Sequence, residues 1–409
     1  MSSLAATMPY WLDHPYEPRP PLEGELHADA CVIGGGVGGV SCARELAGRG
    51  LRTVLLEARA VASGASGRNG GFLLAGGAPF HLDARARWGP ELARRLYART
   101  VAAQKEVYAL AEELGAGDAV RRVGSLRLAV SEEEAEHVRR HVAALREDGF
   151  AAELVERDEL PHQLLGIGHA GCLVGHDGAL QPARWVRALA RGAEAVGARI
   201  FEGSPAAAPA GPLVTTPRGS VRAPHVIVAA DGPLPALVPE TTPRVRARRL
   251  HMVATAPLSW SLFGSLVYAR YGYEYFQQLP DGRLALGGFS DLDGDASYTD
   301  REDGKAAVWE RLERYLRGEL GIEEAEVTHR WVGVVGFSED DRPLAGPVAG
   351  REGLYALGGY SGTGNLIGFV AGRAVAELIA CGGSDDLAFF APPGSGSPPT
   401  SRSAPVSQP

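Results

Sequence analysis

The stretch from Ala28 to Glu57 constrains the fold of this chain more than any other part of the sequence. The apolar run Ala30–Ile33 predicts a short buried strand, and Thr53–Leu56 predicts a second one. Between them, apolar residues recur at helical spacing and end at a pair of glycines. A strand, a helix and a second strand form a βαβ unit, so the chain is predicted to contain a parallel sheet.

Three glycines, Gly34, Gly36 and Gly39, lie between the first strand and the helix at the spacing G-x-G-x-x-G. In a dinucleotide-binding unit the first glycine permits a tight turn, the second lets a pyrophosphate approach the backbone, and the third lets the helix pack closely on the strand. The N-terminus of the helix presents free N–H groups to the phosphates, and Glu57 can accept hydrogen bonds from ribose hydroxyls. The pattern therefore predicts a dinucleotide site. The alternative is an ordinary glycine-rich turn with Glu57 in solvent.

The composition narrows the class of protein. With 409 residues, the chain has room for two domains or for one large α/β unit with an inserted domain. A net charge of −8 gives no basic surface for nucleic acid. The four cysteines (Cys31, Cys42, Cys172 and Cys381) have neither metal-site nor disulfide spacing. No signal pattern and no apolar run of about 18 residues is found, so we expect a cytoplasmic protein without a membrane span or a metal.

Glycine also clusters at 63–77 and at 358–372. The first cluster, SGASGRNGGFLLAGG, would expose backbone N–H groups, and its Arg68 and Asn69 could pair with a pyrophosphate or with the polar edges of a flavin ring. The second cluster follows a predicted strand and begins a helix in which every fourth residue is glycine, so that one bare helix face can pack closely. Both ends of the chain are therefore predicted to build one cofactor site.

The middle of the chain shows other elements. Residues near 245–290 alternate like antiparallel strands around a DG turn. His251 and His329 lie in predicted strands, where a histidine is more often packed than catalytic. Helices are predicted over residues 90–114, 132–145, 182–197 and 308–320.

Five motifs resemble those of the FAD-dependent D-amino-acid oxidase superfamily, which includes glycine oxidase, sarcosine oxidase and γ-glutamylputrescine oxidase. The resemblance covers about residues 10–385, and the SGRNGG run with a preceding Tyr-Trp pair looks most like the γ-glutamylputrescine oxidase branch. The motifs are VIGGGVGG at 32–39 with Glu57, GASGRNGGF at 64–72, DGALQPARWVRAL at 177–189, RWVGVVGFSEDDRPLAGP at 330–347 and GLYALGGYSGTGN at 353–365.

The resemblance implies an α/β fold: a Rossmann-like FAD-binding domain of the glutathione-reductase type with an inserted antiparallel-sheet (α+β) substrate domain. The FAD-binding domain would comprise residues 28–85, 150–240 and 330–385, and the substrate-binding domain residues 86–149 and 241–329. Residues 1–27, rich in proline, would form an ordered arm, and residues 390–409 a disordered tail.

The resemblance also implies that FAD is bound noncovalently. Relatives with a covalent flavin carry a cysteine near the position of Phe337 or a histidine in the first flavin loop, and this sequence has neither. Many oxidases of the family use a lysine near the flavin to promote reaction with O2, but Lys105 and Lys305 lie on predicted solvent-facing helices. The residues expected to bind FAD are Gly34, Gly35, Gly36, Val37, Gly38, Gly39, Glu57, Ala58, Arg59, Ser66, Gly67, Arg68, Asn69, Gly70, Gly71, Ala206, Gly359, Tyr360, Ser361, Gly362, Thr363, Gly364 and Asn365.

The implied reaction is oxidation of a C–N bond of an amine or amino acid. Hydride would pass to flavin N5, the imine would hydrolyse, and O2 would be the electron acceptor, giving H2O2. If the substrate has a carboxylate, Arg249 or Arg330 would be its partner. Side chains considered for catalysis are His251, Arg330 and Tyr275. Substrate contacts are expected from Arg249, Tyr271, Tyr273, Tyr275, Arg330 and Trp331.

Three alternatives stay open at this point. The run VIVAADG at 226–232 resembles the DG motif of flavin-dependent monooxygenases, although those enzymes carry a Gly-Asp before the final helix, where this chain has GGYSGTG. A non-catalytic nucleotide-binding protein is the second alternative. A dehydrogenase is the third, because no lysine is predicted near the flavin.

Overall fold

A computed structural model describes residues 6–242 and 244–394. Within these residues the strands are β1 (Gly24–His27), β2 (Ala30–Ile33), β3 (Thr53–Leu56), β4 (Phe72–Leu73), β5 (Val120–Arg122), β6 (Ser125–Ala129), β7 (Glu153–Glu156), β8 (Ala170–Val174), β9 (Gly178–Leu180), β10 (Arg199–Phe201), β11 (Leu213–Thr215), β12 (Gly219–Arg222), β13 (His225–Val228), β14 (Val245–Thr255), β15 (Leu266–Ala269), β16 (Glu274–Gln278), β17 (Leu284–Gly288), β18 (Val327–Ser338), β19 (Leu344–Pro347) and β20 (Leu354–Gly358). The α-helices of the same residues are α1 (Val37–Gly48), α2 (His81–Trp88), α3 (Pro90–Glu113), α4 (Glu132–Glu147), α5 (Pro182–Ala195), α6 (Leu234–Leu237), α7 (Ala306–Arg314) and α8 (Gly364–Cys381).

The first layer of the fold is a six-stranded sheet in the order β10-β3-β2-β13-β20-β19. Its neighbouring strands are parallel apart from the antiparallel edge pair β19 and β20. β2 and β3 are buried along their whole length, because helices including α1, α5 and α8 cover one face and the small β1-β12-β11 sheet covers the other. The predicted βαβ unit, β2-α1-β3, is part of this sheet.

The bare face of the last helix packs against the first helix. A Cβ atom built at Gly372 would lie 2.1 Å from the Gly38 carbonyl oxygen and 2.9 Å from the Cys42 nitrogen. This close approach joins the two ends of the chain, as the glycine spacing predicts. α8 is also long and apolar enough to cross a membrane, with a mean hydropathy of 1.4, which corrects the expectation that no such run exists. In the fold, 61% of its residues are buried.

The second layer is an eight-stranded sheet in the order β18-β14-β17-β16-β15-β6-β8-β7. Neighbouring strands are antiparallel except for β15 and β6, which are parallel. One face packs on α7 through Val308, Trp309 and Leu312. On the opposite face, Met252 and Trp331 join the hydrophobic cluster that contains α1 and α8. The sheet therefore lies against the first layer, and the interface between the two layers is available for a site.

Several segments lie in a different layer from the one that the sequence predicts. β7, β8 and β18 belong to the eight-stranded sheet, although residues 150–240 and 330–385 are predicted for the FAD-binding domain. α3 lies with α5 and α8 in the core of the first layer, although residues 86–149 are predicted for the other domain. Periodicity identifies a strand or a helix, but the layer that it joins depends on partners far away in the sequence.

The two ends of the described chain are packed onto the body. Trp11 in the proline-rich arm is 1% exposed, and β1, at the end of that arm, pairs with β12 in the small sheet. Phe390 and Ala391 are buried, and Ala391 forms a bridge to Leu344, so the predicted disordered tail does not begin at residue 390. Residues 395–409, the rest of that prediction, lie outside the described residues.

Candidate active site

A cavity of about 2340 Å³ lies between the two layers. Its walls include the turn after β2, the end of β3, the glycine cluster before β4 and the loop before α8. Its remaining walls come from α2, the start of α4 and the strands β14, β15, β16 and β18. The volume is more than twice the upper end of the range for a pocket that holds one drug-sized ligand (about 300–1,000 Å³), so the cavity can take a dinucleotide and a substrate together.

One end of the cavity is built by the predicted dinucleotide motif. The Glu57 carboxylate accepts hydrogen bonds from the backbone N–H groups of Gly35 (2.7 Å) and Arg59 (2.8 Å). Burial raises the pKa of Glu57 above its usual value. The first N–H of α1, at Val37, donates to the Ser66 hydroxyl at 3.0 Å, so the two glycine-rich loops meet at the N-terminus of this helix.

The loops from the two ends of the chain are joined by an asparagine pair. Asn69 Nδ2 donates to Asn365 Oδ1 at 3.1 Å, and Asn365 Nδ2 donates back to Asn69 Oδ1 at 3.0 Å. Asn69 Oδ1 also accepts from Gly71 N, and its carbonyl oxygen accepts from the indole of Trp11 at 2.7 Å. These are the only two asparagines in the sequence, and both serve this contact.

A third link at the site is the carboxylate of Asp231, which follows β13. It accepts hydrogen bonds from the backbone N–H groups of Gly336 and Gly359, each at 2.9 Å. Asp231 therefore holds the end of β18 to the loop before α8. In this chain the DG motif that resembled monooxygenases has a structural role, and burial raises the pKa of Asp231 to about 6.

This pKa predicts a pH-dependent stability. Because folded Asp231 keeps its proton up to about pH 6 and an unfolded aspartate releases it near 3.8, its contribution to the free energy of unfolding is largest below pH 4 and is lost as the pH rises through 6. The expected loss is on the order of 3 kcal/mol. Asp231→Asn removes this titrating group. In chemical denaturation at several pH values, the free energy of unfolding of the variant relative to that of the wild type should therefore rise between about pH 4 and 6. A difference that stays constant over this range contradicts the assignment.

Most of the residues predicted to bind FAD line the cavity. They are Gly34, Gly35, Gly36, Val37, Gly38, Glu57, Ala58, Arg59, Ser66, Arg68, Asn69, Gly70, Ala206, Tyr360, Ser361, Gly362, Thr363, Gly364 and Asn365. The others, Gly39, Gly67, Gly71 and Gly359, do not line it. Three of them shape the loops: a Cβ atom would lie 2.0 Å from the Gly34 oxygen at Gly39, 2.0 Å from the Ala62 oxygen at Gly67, and 2.4 Å from the Leu180 oxygen at Gly71.

The predicted substrate residues divide into two groups. Tyr271, Tyr273 and Tyr275 line the cavity, although Tyr271 lies in a turn before β16 and is 42% exposed. Arg249, Arg330 and Trp331 do not line it. Arg330 forms an ion pair with Glu313. The Trp331 indole donates to the carbonyl oxygen of Arg68 at 2.9 Å, so it supports the glycine cluster 63–77.

Arg249, the arginine predicted on β14, does not line the cavity. Arg249 lies on the face of β14 that is turned away from the cavity, where it forms ion pairs with acidic residues. His251 lies on the same face, accepts a hydrogen bond from Lys305 N at 2.9 Å and does not line the cavity. The cavity is instead lined by Arg246, Arg248 and Leu250, because side chains alternate along a strand.

Arg248 has no carboxylate within 4 Å among residues 6–242 and 244–394. Its Nε donates to the Ser297 hydroxyl at 3.1 Å, and its guanidinium lies 5.2 Å and 5.3 Å from the ring centres of Tyr298 and Phe337. Arg248 pairs in register with Val335, next to Gly336, whose carbonyl oxygen accepts from Ser361 N. The Arg248 guanidinium, without an ion pair among the described residues, therefore lies near the loop before α8.

Aromatic side chains form the wall next to this arginine. The rings of Phe72, Tyr268 and Tyr275 lie 6.1 to 6.4 Å apart between centres. Tyr275 contacts the position of Gly70, where a Cβ atom would be 2.8 Å from its ring. Burial raises the pKa of Tyr275, so this phenol stays protonated. Phe72 and Tyr268 did not emerge from the sequence, because a single aromatic residue in a strand gives no functional signal.

No lysine and no cysteine lies in the described lining of this cavity, and its histidine is His137. Neither Lys105 nor Lys305 lines it, and both are exposed. None of the four cysteines lines it either, and three of them are buried in the cores. Noncovalent binding of FAD therefore stays a prediction.

A family model described as DAO, FAD dependent oxidoreductase, matches residues 29–378. The chain belongs to this family. It is 30% identical over 390 residues to the probable oxidoreductase OrdL of Rhizobium meliloti, and the aligned region covers 90% of this chain and 86% of the relative. It is 27% identical to the γ-glutamylputrescine oxidoreductase of Escherichia coli, with coverage of 89% and 86%. The solved glycine oxidase of Geobacillus kaustophilus has the same fold, with a TM-score of 0.74 and 24% identity over 87% of this chain and 95% of that one.

Membership of the DAO family confirms the resemblance, its γ-glutamylputrescine oxidase branch and the α/β fold class. The chain is an FAD-dependent oxidoreductase that acts on amines or amino acids. Its own cavity fits the cofactor: a Cβ atom at Gly36 would meet only the Ser66 side chain, which leaves the backbone open to a pyrophosphate, and Glu57 and Ala206 flank the end for adenine and ribose.

Proposed function

We propose that this protein oxidises the C–N bond of an amine or amino acid that carries a carboxylate. When bound, FAD would supply the acceptor for the hydride from the carbon next to the nitrogen, and O2 would then take the electrons. The imine would be released and would hydrolyse in water. The protein would bind and orient the substrate, and it would exclude water from the reacting carbon.

The position of Arg248 at the cavity is the main support for this proposal. A guanidinium without a carboxylate partner lines the substrate side of the cavity, and a substrate carboxylate could pair with it through two parallel hydrogen bonds. The rings of Tyr298 and Phe337 lie within cation–π distance of the guanidinium and would help to hold it in place. This assigns to Arg248 the role that the sequence suggested for Arg249 or Arg330.

The aromatic wall would hold the amine end. Phe72, Tyr268 and Tyr275 present mainly ring surface and no charged group, which favours the neutral amine that a hydride transfer needs. The Tyr275 hydroxyl has no hydrogen-bond partner among the described residues, so it could donate to the substrate. Tyr271 and Tyr273, which also line the cavity, would be further substrate contacts. The proposal gives no catalytic role to Arg330 or to any histidine, including His251.

The name of the Escherichia coli relative supports the same substrate class. γ-Glutamylputrescine combines an amine with a glutamyl carboxylate. We extend only that combination of groups to this chain, because the two proteins are 27% identical. The cytoplasm stays the predicted compartment.

A substrate panel tests the proposal. The purified holoenzyme is supplied with primary amines, secondary amines and amino acids, each in a form with and without a carboxylate, and peroxide release is measured together with O2 consumption. We expect turnover of carboxylate-bearing amines at the lowest KM. Turnover of simple amines alone would contradict the role of Arg248, and substrate-dependent flavin reduction without peroxide would replace the oxidase with a dehydrogenase.

A further inference from the structure

The residues 290–305 form a segment that is held at both of its ends by residues on the outer face of β14. Arg249, which is 2% exposed, donates to Asp293 at 2.5 Å and to Asp303 at 2.5 Å. His251 Nε2 accepts from the backbone N–H of Lys305 at 2.9 Å. The two side chains that the sequence suggested for substrate and catalysis therefore fix the position of this segment.

Between these anchors the segment passes along the cofactor cavity. Tyr298 and Glu302 both line the cavity. Tyr298 lies beside the flavin end, where the Arg246 guanidinium is 3.9 Å from its ring centre. At the other end, Glu302 forms ion pairs with Arg59 at 2.9 Å and with Arg68 at 3.0 Å. Arg59 lies two residues after Glu57, which is predicted to contact the ribose, and Arg68 lies in the glycine cluster 63–77.

We propose that the 290–305 segment is a strap that retains FAD, and that Glu302 is the positioning residue that keeps it closed. The ion pairs connect the segment, which is anchored to β14 of the second layer, with the loops after β3 and before β4. A bound FAD would lie beneath them, so its release would require these ion pairs to break. Since no covalent bond is expected to hold the flavin, a closed strap would slow its loss.

The competing role for Glu302 is that of a stand-in for the pyrophosphate, which FAD would displace from the two arginines. The other hydrogen bonds of these arginines favour the strap. Arg68 donates to the Ser63 oxygen at 2.7 Å and to the Val332 oxygen at 3.1 Å, and Arg59 donates to the Ser63 oxygen at 3.2 Å. Their guanidinium groups are thus oriented by protein carbonyls toward Glu302. The N-terminus of α1 is left to serve the pyrophosphate.

The test is the rate at which FAD leaves the holoenzyme. Flavin fluorescence is followed after dilution, without substrate, for the wild type and for Glu302→Gln. Since two partly exposed ion pairs are lost, we expect release to be roughly threefold to tenfold faster in the variant, and we expect salt to narrow the difference. The matched control is Asp300→Asn, which lies in the same segment, lines the cavity and has no ion pair among the described residues. It should release FAD at the wild-type rate.

Arg59→Gln is the second variant. If Glu302 and Arg59 act as one unit, the double variant should increase the rate of FAD release by less than the product of the two single increases. An unchanged rate in Glu302→Gln overturns the proposal, and slower release would assign Glu302 the role of a competitor of the pyrophosphate. Because no substrate is present, either result leaves the proposed amine oxidation untouched.

Discussion

Replacing Asn69 with alanine is expected to weaken FAD binding by about tenfold to a hundredfold. The change removes both hydrogen bonds to Asn365 and the one that Gly71 donates, and it leaves the Asn365 amide partly unsatisfied in a half-buried site. Leaving one such group unsatisfied costs about 1–3 kcal/mol, which matches a loss of roughly tenfold to a hundredfold in affinity. Affinity is measured by titrating the apoprotein with FAD, and thermal unfolding of the apoprotein reports separately on the fold.

The partner variant makes this prediction specific. Asn365→Ala approaches the same contact from the other end of the chain, and it also removes a hydrogen bond to the Phe72 oxygen at 2.9 Å. If the two loops bind the cofactor as one unit, the double variant should lose less affinity than the sum of the single losses in free energy. Additive losses would mean that each loop acts alone, and they would contradict the prediction that both ends of the chain build one cofactor site.

Replacing Arg248 with methionine should lower kcat/KM for carboxylate-bearing amines by roughly a hundredfold to a thousandfold. Methionine keeps much of the apolar stem but cannot pair with a carboxylate, and losing one partner of a buried charged pair costs about 2–5 kcal/mol. The same variant should oxidise amines without a carboxylate at close to the wild-type rate. Steady-state kinetics on matched pairs of substrates measures both effects.

Arg249→Met provides the contrast to Arg248→Met. Arg249 lies one residue away on the same strand, but its side chain is on the opposite face and binds Asp293 and Asp303. Its loss should lower thermal stability and FAD retention without changing the preference for a carboxylate. If Arg249→Met abolishes that preference and Arg248→Met leaves it intact, the assignment of the two faces of β14 is wrong.

The difference between these two arginines shows what the sequence could and could not predict. The run from Arg246 to Arg249 contains arginines on both faces of β14, and a shift of one residue exchanges the faces. Which face meets the cavity depends on the pairing of β14 with β18 and β17 and on the position of the whole sheet. No pattern within β14 contains that information. The three tyrosines near β16 were easier, since all of them line the cavity.

The cofactor site was more predictable, because its signals are local. The spacing of Gly34, Gly36 and Gly39 sets a turn, and the glycines of α8 set a close helix contact, here between Gly372 and Gly38. Another local signal is that the sequence has only two asparagines, and each lies in a glycine-rich stretch. The layer that α3, β7 and β8 join could not be predicted, because it rests on contacts between distant segments.

The most direct test of the proposed amine oxidation is the anaerobic reaction of the holoenzyme with a carboxylate-bearing amine. The reaction is monitored by the loss of flavin absorbance. Substrate that is deuterated on the carbon next to the nitrogen should bleach the flavin several times more slowly than the unlabelled compound, because that C–H bond breaks as the flavin is reduced. Bleaching by a reduced nicotinamide but by no amine would contradict the account, and so would a purified protein that binds no flavin.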